Sequence, residues 1–168
     1  METIINPRIL LLLLSSVIMA LVIMFVPPVS QDPGYHNFAD QRNISGIPHF
    51  WNVVTNIPFL ILGITGFFKI YKQELTGILP DLFRAYLTFF LGLVLTGLGS
   101  GYYHLDPSNS TLVGDRMAIT VTFMSFFVLI FGESISTRTA SRLLYPCCFW
   151  VWHQLSTGTL RKIWVRAI

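Results

Sequence analysis

The sequence holds little charge: 11% of its 168 residues are Asp, Glu, Lys or Arg, against 53% apolar, with a mean hydropathy of +0.63. Soluble domains carry about twice that charge, so a water-solvated globule is excluded. Cysteine is equally scarce. The two present, Cys147 and Cys148, are adjacent inside an apolar run; neighbouring cysteines pair only with strain, so no disulfide framework exists and they read as small apolar residues of a span. Apolar and polar residues do not alternate with period two, which excludes a transmembrane β-barrel. Internal repeats and low-complexity tracts are also lacking. Of the four histidines, His36, His49, His104 and His153, no two stand four apart.

What the chain does have is long uncharged runs. About 18 residues at roughly 1.5 Å per residue cross a hydrocarbon core of about 30 Å. The runs 9–26, 50–68, 85–103 and 117–132 qualify, and 143–160 is a weaker fifth. Their apolar residues occupy all sides rather than one stripe, as in lipid-facing helices. The expected fold is therefore all-α, a polytopic transmembrane helix bundle of about four to five spans in one domain over residues 1–168. Arg8 ahead of the first run resembles the start of a signal peptide, but VPPVSQDPG follows where a cleavage site would need small residues. An uncleaved first span is expected.

Basic residues set the orientation, because positively charged loops stay cytoplasmic. With alternating spans, Arg8, Lys69, Lys72, Arg84, Arg138 and Arg142 fall on one side and Arg42 and Arg116 on the other. This predicts a cytoplasmic N terminus, with loops 27–49 and 104–114 outside. The tail LRKIWVRAI breaks the pattern, since Arg161, Lys162 and Arg166 would lie outside if the fifth run crosses. Residues 26–49 are rich in Pro, Gly, Asp and Asn and read as an irregular extramembrane segment, and 69–81 as a short polar connection. Two Asn-x-Ser/Thr triplets, at Asn43 and Asn109, lie in the outer loops and are too common by chance to assign glycosylation.

Polar residues collect in GSGYYHLDPSNSTLVGDRMAIT, residues 99–120. Ser100 and His104 are four apart, so on a helix they share one face. Asp115 opens the next span, where a short loop can fold it back beside the histidine. Singly, each has a structural use: a histidine at a span end sits at the interface, and an aspartate at a helix start complements the helix dipole. Together, at a depth where unpaired polar groups are costly, they indicate a site. Imidazole is a common zinc ligand and a nearby carboxylate can take a proton from an activated water. Asn52 and Asn56 form a second pair with a spacing of four. They serve either as interhelical packing contacts or as lining of the same cavity. His36 and His153 lack partners at metal-ligand spacing and read as structural.

These residues also carry a resemblance. IPHFWNVVTNIPF, then Ser-x-x-x-His in GSGYYH, then an aspartate eleven residues on in LVGDRM, resemble the alkaline ceramidase family over roughly residues 35–135. That family belongs to a superfamily of membrane hydrolases that includes the progestin and adipoQ receptors. YHNFADQR and IPHFWN are closer to its bacterial members, which tend to carry an extra N-terminal span; the matching expectation is a bacterial inner membrane, with the site on the non-cytoplasmic side. The resemblance implies a seven-helix bundle around zinc that hydrolyses the amide of ceramide or a related N-acyl lipid. By position, His104 would be a zinc ligand, Asp115 would activate the zinc-bound water, and Ser100 would stabilise the oxyanion.

Two departures from the family pattern shape the expectation further. The family completes its zinc site with a late His-x-x-x-His, and here GTLRKIW stands near the end of the chain with Thr159 where relatives have aspartate. Catalytic zinc generally takes three protein ligands, so the site is expected to be incomplete in this chain. Residues 136–168 are then divergent, and the chain a C-terminally truncated or frame-disrupted member whose own activity is in question. The other expectation is a non-catalytic membrane scaffold or binding protein that keeps the fold. His49 occupies the position of a calcium-binding glutamate and Asp40 is the acidic residue left nearby, so calcium is not expected. Nucleic acid is not expected as a partner either.

Overall fold

A computed structural model describes residues 32–156 and, before them, the isolated helical positions 10, 11, 14, 15 and 18. The expected first span, 9–26, lies outside the described residues apart from those positions, as does the basic tail after 156. Among the described residues there is no strand, and the fold is an all-α bundle. A single turn of 3-10 helix, Pro33–His36, precedes α1 (Phe50–Val54) and α2 (Ile57–Tyr71). A second 3-10 turn, Pro80–Leu82, leads into α3 (Phe83–Leu105), followed by α4 (Asn109–Ser134) and α5 (Thr137–Ser156). Three stretches are long and apolar enough to cross a membrane: Phe50–Tyr71, Pro80–Leu105 and Asn109–Ser134.

The first of these is continuous in direction but broken in hydrogen bonding. Pro58 has no N–H to offer the Val54 carbonyl, so the helix cannot run through. Around the break the bonds tighten to i+3, with the Asn56 N–H on Val53 O at 3.1 Å and the Phe59 N–H on Asn56 O at 3.1 Å. The Asn56 side chain patches the gap, its amide nitrogen donating to Asn52 O at 2.7 Å.

α3 packs between α2 and α4, and α4 between α3 and α5. Lipid tails are as apolar as leucine, so helix association here depends on close packing of small residues and on interhelical hydrogen bonds rather than on water exclusion. The contact faces fit that rule. α2 buries Gly63, Gly66 and Ile70, while Ile61, Leu62, Ile64 and Phe68 are exposed. At Gly63 a Cβ would stand 2.7 Å from Val94 N and 2.9 Å from Phe90 O, so the α2 and α3 backbones nearly touch. Between α3 and α4 the Thr96 and Thr122 hydroxyls are 3.0 Å apart. On α4 the buried positions Leu112, Asp115, Ala118, Ser125, Val128, Leu129 and Gly132 fall mostly three or seven residues apart, tracing one face.

The end of the bundle carrying the basic loops is closed by Leu82, Ala85, Val128, Leu129, Ala140 and Leu144. Around them, Tyr86 OH donates to Glu133 and Thr137 Oγ1 donates to Asp81 at 2.8 Å. The opposite end gathers segment 32–49 and the α3–α4 turn, the two loops that the basic-residue count assigns to one side. α5 begins at Thr137, ahead of the expected 143, and is not among the three candidate spans of the described residues.

Candidate active site

Ser108 starts α4. Its hydroxyl accepts the Thr111 N–H at 3.2 Å while Thr111 Oγ1 accepts the Ser108 N–H at 3.1 Å, a reciprocal capping box. The turn between α3 and α4 is thus only Asp106 to Ser108, and the two helices run antiparallel from there. Asp115 therefore does not open its helix, as the sequence reading had it. It lies inside α4, 5% exposed, with no acidic residue in the first turn. A dipole-complementing role at the helix start does not apply to it, and its carboxyl faces protein instead.

What it faces is the end of α3. Gly99 makes the approach possible: a Cβ there would be 3.3 Å from Gly114 O and 3.4 Å from Asp115 Cα. With the helices this close, Ser100, Arg116 and His104 all lie within interaction range of the Asp115 carboxyl. Ser100, His104 and Asp115 are thus brought together. His104 Nδ1 and Asp115 Oδ1 are buried and have no hydrogen-bond partner. Buried polar atoms are nearly always paired, so two orphans in one cluster mark a place for a ligand.

Segment 32–49 covers this cluster. The Phe38 ring stands edge-on to His104, with centroids 4.7 Å apart, and also meets Tyr103 at 5.5 Å and His49 at 5.1 Å. His36 ties the segment down. Its Nε2 and Asn109 Oδ1 are 3.0 Å apart and its Nδ1 and Tyr103 OH 2.9 Å apart. Since Asn109 Oδ1 can only accept, Nε2 donates to it, and Nδ1 bonds the buried Tyr103 hydroxyl. His36 is structural, as its lack of ligand spacing suggested. Asp40 organises the approach to α1: its carboxylate accepts the Trp51 N–H at 2.8 Å and its carbonyl bonds His49 Nδ1 at 2.7 Å. His49 itself adopts a left-handed backbone at φ 48.

Asn56 is buried beside α3, its carbonyl near Gly97, and its side-chain amide nitrogen is engaged with its own helix through Asn52 O. The side chain of His153 lies outside the described residues. Sequence reasoning missed Phe38, Tyr35 and Arg116. The first two sit in an irregular segment with no periodicity to read. Arg116 carried a signal, being one of only two basic residues on the side that the charge count leaves poor in them.

A zinc ion would find one fitting ligand here, the orphaned His104 Nδ1, with the orphaned Asp115 Oδ1 in the same cluster as an acceptor for a water beside it. Among the described residues no group of three or more His, Cys, Asp or Glu is placed to hold a metal, so the set they form is partial.

The ceramidase family model matches residues 42–165, which takes in α1 to α5, the Ser100, His104 and Asp115 cluster, and sequence beyond the motifs quoted above. No curated protein and no solved structure matches the chain. With three helices long and apolar enough to cross a membrane and a family match over most of its length, the chain is a membrane-protein member of the ceramidase family.

Proposed function

We propose that this chain carries the catalytic half-site of a zinc-dependent amidase acting on ceramide or a related N-acyl lipid. The observation that carries the proposal is the pairing of two orphaned, buried polar atoms, His104 Nδ1 and Asp115 Oδ1, with Ser100 beside them. His104 would hold the metal, with Asp115 next to it. Zinc, when bound there, supplies Lewis acidity that makes water a nucleophile near neutral pH. Asp115 is the base that orients the water and takes its proton. The Ser100 hydroxyl is the donor for the amide oxygen as it gains charge, a contribution that is largest where water is excluded. Phe38, laid across His104, supplies part of that exclusion. The site lies near one end of the membrane-crossing helices, on the side poor in basic residues, where the amide of a bilayer lipid would reside while its acyl chain stays among the apolar helix faces. That side is the non-cytoplasmic one by the charge count, in an inner membrane of bacterial type.

One observation favours a second reading, a non-catalytic scaffold or binding protein. Among the described residues no group of three or more His, Cys, Asp or Glu is placed to hold a metal, so His104 lacks the companion ligands. Metal content and product release separate the two readings. Purified protein holding about one zinc per chain, lost in His104→Ala, together with fatty acid released from an N-acyl lipid, supports the amidase. Zinc-free protein without release supports the scaffold.

A further inference from the structure

Arg116 follows Asp115 on α4 and lies within electrostatic range of its carboxyl, while its head reaches segment 32–49. Its Nη2 donates to Tyr35 OH, and its guanidinium lies 5.9 Å from the centre of the Tyr35 ring. Tyr35 is 44% exposed, so this contact forms the rim of the site rather than its floor. Arg116 Nε is buried with no hydrogen-bond partner. Among the described residues two ion pairs occur, Arg42 with Asp40 and Lys72 with Glu74. Of the two described basic residues on this side, Arg42 pairs with Asp40, whereas Arg116 makes no ion pair within 4.0 Å and has Asp115 only at longer electrostatic range.

An arginine that merely snorkels carries its head out to water along a free stem. This one is held against a tyrosine with its Nε enclosed. A fixed guanidinium with unspent donors matches the planar oxygens of a phosphate or carboxylate. Resting on the amidase reading of the adjacent cluster, we propose that Arg116, positioned by Tyr35, is a headgroup subsite that selects N-acyl lipids whose polar end bears an anionic phosphate or carboxylate. The anion would sit at the rim while the amide lies at Ser100, His104 and Asp115.

The test uses the full chain in nanodiscs of neutral lipid and two fluorescent short-chain N-acyl sphingoid probes, one with a phosphate headgroup and one with the free hydroxyl. Binding is read by anisotropy, with inorganic phosphate and vesicles of an anionic glycerophospholipid as competitors. The phosphate probe should bind about 10-fold more tightly or better, the scale of a charge-assisted pair. Arg116→Gln should erase that preference and leave the hydroxyl probe unchanged, Arg116→Lys should retain part of it, and Tyr35→Phe should reduce it with the guanidinium still present. Competition by inorganic phosphate would identify the phosphate group alone as the ligand, and competition only by the vesicles a lipid-borne one. Equal binding of the two probes by the wild type, or an equal loss of both in Arg116→Gln with unchanged thermal unfolding, would overturn the subsite and leave the amidase reading intact. Arg116-dependent capture of the anionic glycerophospholipid with neither N-acyl probe bound would keep the subsite and remove the amidase reading; no binding of any probe would remove both.

Discussion

Phe38 lies edge-on across the His104 imidazole at 4.7 Å, a loop residue laid over the one histidine of the Ser-x-x-x-His motif. The contact puts an apolar ring against an imidazole whose Nδ1 is buried and unpartnered. Truncation to Phe38→Ala should therefore act on His104 before it acts on the fold. The His104 C2 proton should exchange with deuterium several-fold faster than in the wild type, measured by mass spectrometry. Lost edge-to-face contacts should cost about 1 kcal/mol in thermal unfolding. Unchanged exchange at His104 would mean that Phe38 does not cover it.

His36 is what keeps that loop in place. It bridges Tyr103 and Asn109, one from each of the two helices that frame the site. Replacement by alanine leaves the buried Tyr103 hydroxyl without its partner, a loss of about 1 to 3 kcal/mol. Amide exchange should accelerate across residues 32–49 and stay slow in α3 and α4 below the site. Uniform acceleration over the whole bundle would instead show that segment 32–49 is part of the cooperative core.

These two contacts mark the limit of what could be read from sequence. The membrane-crossing helices were legible because each is an unbroken apolar run, and Ser100 with His104 because a spacing of four on a helix fixes a shared face. The meeting with Asp115 was legible because a short turn forces neighbouring helices antiparallel. Its depth was not. The run of apolar residues starts at Met117, whereas the helix starts where Ser108 and Thr111 cap it, so Asp115 was placed at an end rather than inside. Beyond the single 3-10 turn Pro33–His36, segment 32–49 has no helix or periodicity, and its contacts, His36 to Asn109 and Tyr35 to Arg116, join residues far apart in the chain. No local rule connects such pairs. Proline offered a clue that went unread: Pro58 divides the 50–68 run into α1 and α2, although Phe50–Tyr71 as a whole remains long and apolar enough to cross a membrane.

Close packing between α2 and α3 should be sharply position-dependent. A Cβ at Gly63 would meet backbone atoms of Val94 and Phe90 at 2.7 and 2.9 Å, whereas at Gly101 nothing lies within 4 Å. Gly63→Ala should force the helices apart and cost about 1 to 3 kcal/mol, the usual range for overpacking. Gly101→Ala should be neutral or stabilise by up to about 1 kcal/mol, through the better helix propensity of alanine. Thermal unfolding in one detergent compares the two directly, and equal effects would contradict the backbone contact at Gly63.

Asp115 offers the most direct separation of function from stability. It is buried, Ser100 is its neighbour, and one of its oxygens is unpaired. A carboxyl placed for packing alone would not be left in that state, because an unsatisfied buried acceptor costs about 1 to 3 kcal/mol, more when it is charged. Asp115→Asn keeps the size and shape of the side chain, and its amide can still engage Ser100, while the charge is removed. If the carboxyl is kept for chemistry, this variant should unfold at a temperature equal to or above that of the wild type. In the same protein, release of fatty acid from an N-acyl lipid should fall by about 100-fold or more, as expected for loss of a general base. Functional sites commonly hold stability in reserve in this way. Destabilisation by Asp115→Asn as large as that by Asp115→Ala would show the opposite: that the carboxylate is a packing element of the α3–α4 contact, with Ser100 its structural partner.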